Sequence, residues 1–286
     1  MSLKKIELQY NIDLKKYTSI KIGGKAKYFF TTNTIEDLQQ IINDFDGDLY
    51  LLGAGSNLLI KDDLLEKPVV KLADTFNYLR KEGNYIEVGA STPLSFLVKY
   101  CVANNLKGVE RLAGIPATIG GLLQMNASSF GQAISSYLEE VDLLDKKGQF
   151  CILKKRQIVF GYRFSSMKEY IILRARFRFK DSKPDIVKQK VIDSLKKRIE
   201  TQDFDFPSCG SVFKNPEGSS AGFLIDSCGL KGAQKGKARI SLKHANFIVN
   251  LGSARFKDVD YLIQKIKEKV YKVHKVILEE EVKKWI

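Results

Sequence analysis

With 286 residues, 44% of them hydrophobic and 28% charged, the chain has a globular composition and enough length for about two domains. No apolar run approaches the roughly 20 residues of a membrane span, and Met1 to Lys5 offers no signal-peptide core, so the expected location is the cytoplasm. The formal charge of +14 comes from lysines dispersed along the chain, without a basic tail or an aromatic-basic RNA motif. A solvated lysine-rich surface therefore explains it better than nucleic-acid binding, and its field suits small polyanions such as nucleotide diphosphates. Cys101, Cys151, Cys209 and Cys228 form no Cys-x-x-Cys pair, and only two histidines, His244 and His274, accompany them. A zinc site is not expected, and the cysteines read as free thiols.

In chain order, Thr34 caps a helix running through Phe45, with Leu38, Ile41, Ile42 and Phe45 at helical spacing and Asp37 as the third-position partner. The strand Asp48 to Leu52 then delivers a glycine-rich loop. Leu94, Leu97, Val98 and Cys101 mark the apolar face of a second helix, so Cys101 reads as core. Leu173, Ala175, Phe177 and Phe179 alternate with Arg174, Arg176 and Arg178, which predicts a half-buried strand whose arginines are solvated and carry no role. Ser182-Lys183-Pro184-Asp185 reads as a boundary. Beyond it lie a helix (Val187, Val191, Ile192, Leu195, Ile199), a second helix (Val259, Leu262, Ile263, Ile266, Val270, Val273) and a final strand, Val276 to Leu278. Periodicity alone predicts mixed α and β structure.

Two loops carry the chemistry. Gly53-Ala54-Gly55-Ser56-Asn57 follows a strand, and Gly114-Ile115-Pro116-Ala117-Thr118-Ile119-Gly120-Gly121 runs into the apolar stretch that ends at Asn126. Glycine permits positive φ and close backbone approach, proline pre-sets a turn, and such a loop can aim several N–H groups at one anion. Neither is a standard nucleotide motif: the first lacks the Gly-Lys-Ser/Thr of a P-loop and the third glycine of a dinucleotide fold. Two different loops point to a diphosphate-containing cofactor gripped from two sides.

Together with four further segments and a closing Glu280-Glu281-Val282, these loops resemble the UDP-N-acetylenolpyruvoylglucosamine reductases, a family of the vanillyl-alcohol-oxidase-like flavoproteins. The segments are Tyr17 to Gly24, Gly161-Tyr162-Arg163-Phe164-Ser165, Pro207 to Pro216 and Ser241 to Asn250. The resemblance implies an α+β fold: a two-lobed FAD-binding domain of the vanillyl-alcohol-oxidase/PCMH-like type over residues 1–182 (lobes about 1–67 and 68–182). A smaller α+β substrate-binding domain follows over 183–286. It implies FAD held through Gly53, Ala54, Gly55, Ser56, Asn57, Gly114, Pro116, Thr118, Gly120, Gly121 and Asn126. The binding is non-covalent, because the loops hold no histidine, cysteine or tyrosine tether. It implies hydride passing from NADPH through the flavin to the β-carbon of an enolpyruvyl ether on a UDP-sugar, giving UDP-N-acetylmuramate.

That reaction places negative charge on the substrate carboxylate and requires a proton at the α-carbon. By resemblance Arg163 binds the carboxylate, Ser211 is the proton donor and Glu281 is the carboxylate near the C-terminus. Lys214 and Asn215 stand near the nucleotide diphosphate. A guanidinium is permanently charged and forks onto a carboxylate as lysine cannot. A serine hydroxyl is a poor acid in water and must be hydrogen-bonded and desolvated to serve. Glu281, if buried beside the substrate carboxylate, would titrate high and donate. Cys209 lies in the same motif without a visible general base. The chain departs from the family pattern at Ala117, where glycine is usual, at Ser128-Ser129-Phe130, where small residues and tyrosine are usual, and at Lys283, where arginine is common. It reads as the short form of the enzyme. The competing readings are a sister flavoenzyme of the same fold and a basic, non-enzymatic nucleotide- or nucleic-acid-binding protein.

Overall fold

Six α-helices stand among the described residues of the computed structural model, which describes residues 6–183 and 185–286. The N-terminal Met1 to Lys5 and Pro184 of the expected boundary lie outside them. The chain divides into two compact units. One comprises Met1–Tyr10, Tyr28–Ala54 and Lys67–Lys197, and the other Asn11–Lys27, Gly55–Glu66 and Arg198–Ile286. This partition differs from a single cut after residue 182, for a physical reason. Ile20, Ile22 and Leu59 pack into the C-terminal core, Asn250 Nδ2 donates to the Ile20 carbonyl at 2.9 Å, and Leu58–Ile60 pairs in parallel with Lys283–Trp285.

In the first unit, helix α1 (Ile35–Asp44) is capped by Thr34, whose hydroxyl accepts from the Asp37 N–H at 3.0 Å. Leu38, Ile41 and Ile42 are buried, as the spacing predicts. A turn closed by Gly47 N–H to Ile42 O and Asp48 N–H to Phe45 O uses the residues before Leu49, so the next strand begins at Tyr50 rather than Asp48. Tyr50–Leu52 pairs in parallel with Val69–Leu72, which also pairs in parallel with Phe29 to Thr32. Helices α2 (Leu94–Ala103) and α3 (Ile119–Gln124) pack on the same core, and Cys101 is fully buried in it.

A five-stranded antiparallel sheet runs in the order Phe150–Lys154, Leu138–Leu144, Ile171–Phe177, Tyr85–Gly89, Leu79–Glu82. Leu173, Ala175 and Phe177 face the core as expected. The arginines between them are not simply solvated. Arg176 Nε donates to Glu87 at 2.8 Å and Arg174 Nε to Asp142 at 2.5 Å, and both carboxylates are buried. Burial alone would raise the Glu87 pKa, but the Tyr78 hydroxyl and Arg174, Arg176 and Arg80 hold it below the usual carboxylate range. The partners come from other strands, which the alternation of one strand cannot reveal.

Helix α4 (Ile186–Thr201) begins in the first unit and ends in the second. Val187 is buried, while Leu195 and Ile199 of the expected stripe are exposed. In the second unit, helices α5 (Ala221–Ser227) and α6 (Phe256–His274) cover a sheet ordered Ser208–Ser211, Phe247–Asn250, Ala238–Ile240, Gln234–Lys235. On α6, Val259, Leu262, Ile263, Ile266 and Val270 are buried, whereas Val273 is exposed. The chain leaves α6 through Lys275 at φ 59°. Val276 to Leu278, expected as a strand, forms none in the structure, and Ile277 is 81% exposed. The terminal strand is Lys283–Trp285 instead. No helix among the described residues is long and apolar enough to cross a membrane.

Candidate active site

The first glycine loop needs glycine at Gly55 for two reasons. Its φ is +66°, and any Cβ there would collide with the Tyr17 carbonyl oxygen. The Gly55 carbonyl accepts from the Ser19 N–H at 3.1 Å. The Asn57 carbonyl accepts from Lys283 N–H at 2.9 Å, and its side-chain amide donates to the Glu281 carbonyl at 3.1 Å. Among the described residues, no backbone N–H from Gly53 to Asn57 donates to a protein acceptor. Such a run of available amides suits an anion. A methyl group at Gly53 would stand 3.1 Å from Thr118 Oγ1, so this loop meets the second one.

The second loop is built differently. Thr118 caps α3, accepting from Gly121 N–H at 3.3 Å. Ile119 N–H donates to Thr92 O and Gly120 N–H to Ala90 O, both at 2.9 Å. The expected fan of amides aimed at an anion is therefore largely occupied by protein carbonyls here. Gly120 allows close packing on Ala90, whose Cβ would lie 3.2 Å from a methyl at that position. Gly114 takes φ +85°, while Gly121 and Pro116 are exposed. Ala117 lies outside the left-handed region, so alanine is accommodated in place of glycine. Asn126, at φ +42°, donates through Nδ2 to Gly161 O at 2.9 Å, and its Oδ1 is buried with no protein partner. A buried acceptor left without a donor is costly, and a bound donor would relieve it.

Arg163 occupies the tip of the hairpin between Phe160–Gly161 and Phe164–Ser165, at φ +54°. Its Nη1 donates to Ser128 Oγ at 2.8 Å and to Ser128 O at 3.1 Å, and its guanidinium lies 5.0 Å from the Tyr162 ring centroid. This is a held, half-buried arginine.

In the second unit, Ser208 pairs with Val249 and Ser211 with Phe247, leaving Cys209 and Gly210 opposite Ile248. The extra residue is a bulge with Gly210 at φ +74°, a device that re-aims the following side chain, here Ser211. Val212 N–H donates to Asn246 O, and the Asn246 side chain bonds both the N–H and the carbonyl of Phe213 at 2.9 and 2.8 Å. On the other side, Glu281 N–H donates to Val212 O at 2.8 Å and Lys214 N–H to Glu279 O at 2.9 Å. Ser211 and Glu281 are thus brought together by backbone bonds. Gly210 also lies close to the first loop, since a methyl there would be 4.0 Å from Ser56 O.

The three consecutive glutamates separate cleanly. Glu279 pairs with the Lys214 ammonium, and Glu280 bonds Lys267 and Lys284 at 2.6 and 2.7 Å. Burial would raise the Glu280 pKa, but those two ammonium groups hold it low. Glu281, half-buried, follows with its backbone fixed on both sides. Asn215 is exposed and its Oδ1 accepts from Ala221 N–H at 3.0 Å, which ties it to the start of α5. Cys209 is buried, and desolvation pushes its thiol up to about 12, which suits packing rather than nucleophilic chemistry.

The model of the UDP-N-acetylenolpyruvoylglucosamine reductase C-terminal domain matches residues 202–285, and an FAD binding domain model matches residues 26–154. The UDP-N-acetylenolpyruvoylglucosamine reductase of Thermotoga petrophila is 42% identical over 95% of this chain and 96% of its own length. This chain belongs to the UDP-N-acetylenolpyruvoylglucosamine reductase family. The Clostridium botulinum (strain Okra) reductase is 36% identical over 94% of this chain and 90% of its own. The crystal structure of the reductase from Thermus caldophilus superposes with a TM-score of 0.88 at 35% identity, covering 98% of this chain and 100% of that one. The α+β fold with an FAD-binding part and a second domain is that of the reductase family.

Sequence reading alone missed two residues. Asn246 clamps the Ser211 segment and lies in the Ser241 to Asn250 stretch, but nothing in sequence distinguishes a structural asparagine from a polar surface one. Ser128 was visible only as a departure from the family pattern.

Proposed function

We propose that this reductase family member reduces the enolpyruvyl ether of UDP-N-acetylglucosamine to UDP-N-acetylmuramate with NADPH, using non-covalently bound FAD, in peptidoglycan synthesis in the cytoplasm. The flavin-binding role belongs to residues 1–182 and the substrate-binding role to 183–286. The available amides of Gly53 to Asn57 and the unpartnered Asn126 Oδ1 fit a cofactor that carries a diphosphate and donor groups. FAD held there would supply the relay of hydride from NADPH to the β-carbon.

The protein's own residues supply the rest. The Arg163 guanidinium takes the substrate carboxylate and stabilises the charge that develops there. Ser211, aimed by the Gly210 bulge, delivers the proton to the α-carbon, and Glu281 stands beside it as the second acid. Lys214 and Asn215 face the nucleotide diphosphate. That role requires Lys214 to exchange Glu279 for phosphate, a modest cost for a pair with one exposed partner.

The observation that carries this reading is the backbone junction of the Ser211 and Glu281 segments at Val212, in a chain alignable with the reductases over nearly its whole length. The test is anaerobic reduction with NADPH followed by the enolpyruvyl UDP-sugar. Flavin absorbance should return on substrate addition and UDP-N-acetylmuramate should form. Reduction without reoxidation by this substrate would favour a sister flavoenzyme, and a colourless protein would contradict the reading.

A further inference from the structure

We infer that Ser128 is a positioning residue for Arg163, fixing the guanidinium in the orientation in which it receives the substrate carboxylate; this rests on the role proposed for Arg163. Arg163 Nη1 donates to both the hydroxyl and the carbonyl of Ser128, at 2.8 and 3.1 Å. An arginine without such contacts would lose several rotatable bonds of freedom each time it met a carboxylate. A guanidinium already held avoids that loss.

The platform beneath Ser128 is firm. Ser128–Ser129 pairs with Gln132–Ala133, and the hairpin turns through Phe130 and Gly131 at φ +48° and +78°. Phenylalanine rarely adopts a left-handed backbone, so the surroundings must impose it. The two-residue turn requires it, and Arg111 braces the turn: its Nη1 donates to Phe130 O at 2.6 Å and its N–H to Gln132 Oε1 at 2.8 Å. Gln132 in turn donates to the buried Glu110 at 3.2 Å. Asn126, two residues before Ser128, holds the other hairpin through Gly161 O. Three left-handed non-glycine residues, Asn126, Phe130 and Arg163, therefore lie in or beside these two hairpins. Strain of this kind marks a place where the fold fixes geometry for function.

The hydroxyl is the part of this contact that belongs to the side chain, so it can be removed without touching the carbonyl. Ser128→Ala should keep full flavin content and unaltered reduction by NADPH. Its dissociation constant for the enolpyruvyl UDP-sugar, measured by calorimetry on the oxidised protein, should rise and its flavin reoxidation by substrate should slow, together by about tenfold. Ser128→Thr should restore most of the loss, and Arg163→Ala, run in parallel, should slow reoxidation by about 100-fold or more. An Ser128→Ala protein that behaves as wild type beside an impaired Arg163→Ala overturns the positioning role and leaves the Arg163 reading intact. An unimpaired Arg163→Ala overturns the Arg163 reading instead. Should Ser128→Ala lose flavin, or slow both half-reactions alike, or should both it and Ser128→Gly fail to fold, Ser128 is a structural residue and the inference is wrong.

Discussion

Arg163 and Ser211 are held in opposite ways. Arg163 sits at a hairpin tip with a left-handed backbone, and side-chain hydrogen bonds fix it: its own to Ser128, and that of Asn126 to Gly161. Ser211 is fixed by main chain, through the Gly210 bulge on one side and the ladder from Val212 to Asn246 and Glu281 on the other. A side chain set by backbone bonds can be replaced without disturbing its frame. A side chain set by other side chains is sensitive to its neighbours, and its own strain is a stability cost accepted for function.

The same contrast separates the glycine loops and gives the largest expected effect. Gly55→Val should leave no folded, flavin-containing protein, because φ +66° and the Tyr17 carbonyl both reject a β-branched residue. Gly121→Val should fold, with wild-type circular dichroism, since its backbone is not left-handed and the nearest atom to a new Cβ is Thr118 Oγ1 at 3.4 Å. It should nevertheless lose flavin, because the side chain enters the surface where the two loops meet. A flavin-replete Gly121→Val would show that this surface does not receive the cofactor.

Next in size is Arg163→Gly. Relieving a left-handed arginine should leave the melting temperature unchanged or slightly higher, offsetting about 1 kcal/mol of strain against the added freedom of the unfolded chain. Reoxidation of the flavin by substrate should still fall by about 100-fold or more. A marked drop in melting temperature would mean that Arg163 stabilises the fold rather than serving the substrate.

The smallest effect concerns Glu280. Its pKa lies below the unfolded value, so its ion pairs stabilise the protein above the usual carboxylate range, and that contribution disappears as pH falls through the depressed folded value. Glu280→Gln should therefore lower the melting temperature by a few degrees at pH 7 and by nothing at a pH below the depressed folded value. A difference that persists in acid would assign the effect to packing. Acid precipitation offers a separate check on the cofactor: the yellow chromophore should leave the pellet, and colour retained there would mean a covalent bond.

Much of this was legible in the chain. Helical spacing placed α1 and α6, and Thr34 announced its own cap. The order of short segments pointed to the family that the full-length relatives show. What stayed hidden depends on distant partners. Arg174 and Arg176 read as solvated because Glu87 and Asp142 arrive from other strands. Val276 to Leu278 reads as a strand because a short apolar run looks the same with or without a ladder neighbour. The association of residues 11–27 and 55–66 with the C-terminal unit depends on the parallel pairing of Leu58–Ile60 with the last strand, a contact across more than 200 positions that local pattern does not encode. At the candidate site, residue types were readable, but the means of holding them, bulge against side-chain clasp, was not.

The most direct measurement is stopped-flow absorbance of Ser211→Ala, following each half-reaction separately. Because backbone bonds frame Ser211, the variant should fold, bind flavin and be reduced by NADPH as the wild type is. Reoxidation by the enolpyruvyl UDP-sugar should slow by about 10²–10⁴-fold, the usual worth of general acid catalysis, with partial recovery in Ser211→Cys. Equal slowing of both halves would make Ser211 a packing or cofactor residue, and unchanged reoxidation would contradict its role as proton donor.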